Sequence, residues 1–79
     1  MDAQAAYPSV PAATAYLTSN GRAVGRVRYN DVLVRRGGYA LYFTVMLFGG
    51  RSAVLIKVCE DARGRVTGSS NVSYGEPSC

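Results

Sequence analysis

The chain has 79 residues with 48% apolar and 18% charged side chains, the composition of one small globular domain rather than a disordered segment. It holds no His, no Trp and only five carboxylates, which removes His-based nucleophilic catalysis and a Cys/His zinc site. The net charge is +4, and seven of the nine basic residues lie between Arg22 and Lys57, where Asp31 is the only acid.

Residues 1–8 are Ala-rich and without periodicity, as expected for a flexible tail ahead of a single domain at 9–79. Ser9 can cap a helix, and Pro11 fits its first turn, where a missing N–H costs nothing. Val10, Ala13, Tyr16 and Leu17 then share one face while Thr14 and Thr18 look outward. Asn20-Gly21 supplies a left-handed stop, so the spacing predicts a helix over 10–19. Too short to stand alone, it needs a sheet to lean on.

From Arg26 onward the pattern alternates. Gly37-Gly38 and Gly49-Gly50 sit between apolar runs and suit two-residue hairpins. Read as such turns, the second pairs Val45 with Val54, Phe43 with Ile56 and Leu41 with Val58. The first pairs Leu41 with Val34 and Phe43 with Val32. One face then carries Val32, Val34, Leu41, Phe43, Val45, Val54, Ile56 and Val58. Asn30-Asp31 breaks the alternation and predicts a bulge. Ala62-Arg63-Gly64 fits a three-residue turn into a last strand over 65–74, with Val66, Gly68, Ser70, Val72 and Tyr74 inward and Arg65, Thr67, Ser69, Asn71 and Ser73 outward. The fold class expected is α+β, an N-terminal helix packed on a four-stranded antiparallel β-meander.

The opposite face carries Leu33, Ala40, Tyr42, Thr44, Met46, Phe48, Ala53, Leu55, Lys57 and Cys59. One short helix cannot cover both faces, and monomers rarely leave large apolar patches bare. Leu33, Tyr42, Met46, Phe48 and Leu55 are therefore the candidate partner-binding residues. A protein partner, a second copy, the C-terminal segment 75–79 and simple exposure all remain open as explanations.

Cys59 and Cys79 permit one disulfide, which would close a loop of 19 intervening residues and contribute about 3 kcal/mol. Two free thiols or a bond between chains are the alternatives. The longest apolar run, 39–48, is too short to cross a bilayer. The start lacks the basic and hydrophobic regions of a signal peptide, and Met1 followed by Asp2-Ala3-Gln4-Ala5-Ala6 reads as an initiator placed before a mature sequence whose export signal or anchor has been removed. A periplasmic or secreted, membrane-proximal location is the expectation.

Catalytic, metal and cofactor sites are expected to be absent. Glu60-Asp61 reads as a solvated hairpin end, and Arg63-Gly64-Arg65 as turn chemistry rather than a phosphate loop. Asn71-Val72-Ser73 matches a glycosylation acceptor by chance alone. No basic run exceeds two residues, and the tyrosines lack a ribonucleoprotein spacing, which argues against nucleic acid.

Ala15-Tyr16-Leu17, Ser19-Asn20, Val24-Gly25, the run Tyr39 to Val45, the Gly49-Gly50-Arg51-Ser52-Ala53 turn and Val54-Leu55-Ile56-Lys57-Val58 together resemble the cytochrome oxidase complex assembly domain family over about residues 12–74. Arg65-Val66 stands where that family often has a tryptophan entering the final strand. The resemblance implies a helical lead, a β-meander and a non-enzymatic, membrane-proximal assembly role. The functional expectation is a small interaction or assembly-accessory domain that binds a protein partner or forms a homodimer through its second sheet face. The alternative is a secreted hydrolase inhibitor acting through hairpin tips such as Arg35-Arg36-Gly37-Gly38.

Overall fold

The computed structural model describes residues 8–19, 26–47 and 51–72. Helix α1 spans Val10–Ser19, and four strands follow: β1 Val27–Arg35, β2 Gly38–Leu47, β3 Ser52–Asp61 and β4 Val66–Asn71. They form one antiparallel sheet in the order β1-β2-β3-β4, the expected α+β meander.

The helix begins where its sequence says it should. Ser9 Oγ accepts the Ala12 N–H at 3.1 Å, the bond that defines an N-cap, and the Ser9 carbonyl accepts the Ala13 N–H at 3.1 Å. Ala13 and Leu17 are fully buried, Val10 packs beside them, and α1 rests mainly against β3 and β4. Thr14 and Thr18 return their hydroxyls to the carbonyls of Val10 and Thr14, so polar groups on this short helix are locally satisfied. The expected stop at Asn20-Gly21 lies outside the described residues.

The β2–β3 register is the one expected: Val45 opposite Val54, Phe43 opposite Ile56 and Leu41 opposite Val58. Five of these six, with Ala13 and Leu17, make the core between helix and sheet; Val54 packs against it partly buried, and Tyr29 closes over Phe43 edge-on at 5.6 Å.

Three expectations need correction. The first hairpin turns at Arg36-Gly37, so Val32 faces Leu41 and Val34 faces Tyr39. Gly37 takes the left-handed conformation at φ 79°, while Gly38 enters the ladder opposite Asp61, where a Cβ would strike the Glu60 carbonyl oxygen. A shift of one residue in the turn moves each pair by two, so the inward face keeps its residues. Val34 nevertheless stays 81% exposed, because the helix leans over the far half of the sheet.

The second correction concerns β4. A register break opposite Cys59/Glu60 leaves Val66 facing Glu60 and Gly68 facing Cys59, with Thr67 between them. That extra residue reverses the phase: Ser69 and Asn71 lie on the helix side opposite Val58 and Ile56, while Gly68 and Ser70 join Cys59 and Lys57 on the other face. The predicted bulge in β1 is present, between Tyr29 and Asp31, and Asn30 Nδ2 there donates to Thr44 Oγ1 at 2.8 Å.

The third is Glu60. It is not a solvated hairpin residue but a buried one, 3% exposed, on the helix side of β3.

Candidate functional site

On the sheet face turned away from α1, the register aligns Leu33 with Ala40, Tyr42 with Lys57 and Thr44 with Leu55. Leu33, Tyr42 and Leu55 therefore lie on a diagonal across β1, β2 and β3, about 17 Å from end to end at ordinary strand spacing and rise. Leu33 is 46% and Leu55 38% exposed, while Tyr42 and Met46 are half-buried. The Tyr42 hydroxyl accepts from Arg35 Nη2 at 3.2 Å, which leaves the ring edge on the strip and the polar tip engaged. Phe48 lies outside the described residues.

The strip is narrower than the alternation implies. Ala40 is fully buried and Lys57 is 4% exposed on this same face, so its middle is covered and the apolar surface is confined to the diagonal and the Met46–Ala53 end. The expected cover by residues 75–79 falls outside the described residues, as does Cys79. Cys59 is half-buried opposite Ala40 and Gly68, and there is no free cysteine among the described residues.

At the end of the sheet near the first hairpin, a cavity of about 230 Å³ is lined by Arg35, Arg36, Tyr39, Glu60, Asp61 and Thr67 with neighbouring backbone. Its two carboxylates are committed to structure. Glu60 Oε1 accepts the Ser9 N–H at 2.7 Å, and its Oε2 is buried with no hydrogen-bond partner. In a capping box the residue three places into the helix supplies an acid to the N-cap N–H. Here that residue is Ala12, the first turn has no acid, and strand β3 delivers the carboxylate instead. Burial pushes the Glu60 carboxyl above its usual range, opposed by the Ser9 N–H and reinforced by the negative charge of Asp61.

Asp61, the next residue along the chain, does the opposite work. Its Oδ1 accepts the N–H groups of Arg65 and Arg63, each at 2.9 Å, and Oδ2 pairs with Arg65 Nε at 3.0 Å. The Arg65 N–H, ahead of the remaining contacts, holds the Asp61 carboxyl below its usual value. The Asp61 N–H donates to the Arg65 carbonyl at 2.9 Å, and Gly64 takes φ 80°, completing the three-residue turn read from Ala62-Arg63-Gly64. Side by side, one acid starts the helix and the other closes a hairpin.

Among the described residues no group of three metal-ligating side chains comes together, and no helix is long and apolar enough to cross a membrane. The fold and site thus define a helix-on-meander domain whose distinctive surface is an apolar diagonal. No protein-family profile, curated protein or solved structure matches this chain.

Proposed function

We propose that this chain is a small non-enzymatic interaction domain that docks a protein partner on the diagonal of Leu33, Tyr42 and Leu55, with Met46 and Phe48 extending the contact. The observation that supports it is the exposure of two leucines on one sheet face beyond the reach of the single helix. Leu33 and Leu55 are too far apart to shield each other, so only a surface laid across Tyr42 removes both from water. At about 25 cal/mol per Å², even partial burial of these side chains contributes a few kcal/mol to association. The resemblance read from the sequence to cytochrome oxidase complex assembly domains is in keeping with this reading and would imply docking outside the cytoplasm, next to a membrane. In that compartment a Cys59–Cys79 disulfide would tie the C-terminal segment to β3.

The discriminating experiment compares two sets of variants. Y42S/L55S should abolish partner capture while leaving the far-UV spectrum and melting temperature close to wild type. R36E and G37N alter the hairpin tip and should leave capture intact. The reverse pattern would support a cleft-plugging inhibitor instead.

A further inference from the structure

Among the described residues, no strand pairs with the outer side of β1, the first strand of the sheet. Counting from the two-residue turn, Asp31, Leu33 and Arg35 share the ladder with β2, so Val32 and Val34 turn their backbone groups outward. The Val32 N–H confirms this, because it bonds not to β2 but to Asp31 Oδ1 at 2.8 Å. The edge has no Pro, is nine residues long and carries Leu33 and Val34 exposed on opposite faces. Such an edge invites another strand. Its charges are arranged for one strand in particular. When β1 is laid antiparallel against itself about a two-fold axis through Leu33, Val32 falls opposite Val34 of the second copy, and Asp31 opposite its Arg35. Moving the axis one residue either way places Asp31 opposite Leu33 or Arg35 opposite Leu33. One residue further, like charges meet: Asp31 with Asp31, or Arg35 with Arg35.

We propose that β1 pairs with β1 of a second copy in this register, making a continuous eight-stranded sheet. Val32 and Val34 form the hydrogen-bonded pairs, and the Val32 N–H exchanges the Asp31 carboxylate for the partner copy's Val34 carbonyl. The released carboxylate meets the guanidinium of Arg35 across the axis, whose five donors can serve it and the Tyr42 hydroxyl together. In the monomer, the same carboxylate occupies the edge donor and keeps the strand from pairing out of register. The inference rests on the edge and its charges; it shares Leu33 with the partner surface proposed above but does not rest on that reading.

Analytical ultracentrifugation and a cysteine cross-link test it together. Wild type should be a concentration-dependent dimer. D31R and R35D should each weaken association about tenfold or more, since each spoils both symmetry-related pairs and sets like charges opposite, and D31R/R35D should restore it. L33C should cross-link rapidly under mild oxidant, because directly opposed residues at a non-hydrogen-bonded site sit within disulfide range, and V34C should not. Y42S/L55S should dimerise as wild type does. A chain that stays monomeric at millimolar concentration, a dimer indifferent to both charge reversals, or a dimer lost in Y42S/L55S would each overturn the proposal. Should a charge variant fail to fold, the L33C and V34C comparison on the otherwise native chain still decides.

Discussion

Replacing Glu60 tests whether a strand carboxylate starts the helix. E60A removes the acceptor of a 2.7 Å bond to the Ser9 N–H and leaves that donor in a part-buried position, while Ser9 Oγ keeps its own bond to the Ala12 N–H. Loss of one cap interaction with an orphaned donor costs about 1–2 kcal/mol, or roughly 5–15 °C in melting temperature for a domain of this size. E60Q keeps an acceptor for Ser9 and removes the buried charge. Burial raises the folded-state pKa of Glu60 above 4.5, so the folded chain retains a proton that the unfolded chain has already released. Stability from this group therefore declines as pH rises from about 4.5 through the folded-state value and is level above it. Urea titrations of wild type and E60Q at a series of pH values isolate the effect, because the other carboxylates cancel in the difference. The gap should move in favour of the glutamine as pH rises above about 4.5. Equal stability of E60A and wild type, or a gap independent of pH, would refute the cap.

D61N should act in the opposite window: the depressed Asp61 carboxyl stabilises above its ordinary value of 3.8 and loses that contribution as pH falls through its folded value, so the variant should flatten the acid limb of the stability curve. F43A should cost about 3–5 kcal/mol by denaturant unfolding, a large share of what a 79-residue domain possesses. G38A should be poorly tolerated because its Cβ meets the Glu60 carbonyl, whereas G37N, at a left-handed position in open space, should melt within a few degrees of wild type. If Cys59 and Cys79 are paired, the unreduced chain will show no reactive thiol to a maleimide under denaturing conditions and two after reduction.

The helix and the β2–β3 register were legible because each rests on local chemistry: Ser9 before an apolar face, and strict alternation around Phe43. The first turn lies one residue earlier than the glycine pair suggests, since Gly37 and Gly38 look alike in sequence and only the approach of the Glu60 backbone separates the turning glycine from the ladder glycine. The phase of β4 turned on Thr67, whose extra place depends on the facing strand. Glu60 was invisible for a similar reason: its partner Ser9 is 51 residues away. The one available signal was an absence, the missing acid at Ala12. Leu33, Tyr42, Met46 and Leu55 were placed on the correct face by parity alone, but parity could not show that Ala40 and Lys57 on that face are buried.

The central claim is that the apolar diagonal meets a protein. Its most direct measurement is photo-crosslinking in the native host, with a benzophenone amino acid placed in turn at Leu55, at Arg36 and at Thr18 on the outer side of the helix. A discrete adduct, identified by mass, from position 55 and not from 36 or 18 is the predicted result, and that adduct should vanish when Y42S is added. An adduct from the hairpin tip with none from the sheet face would contradict the account.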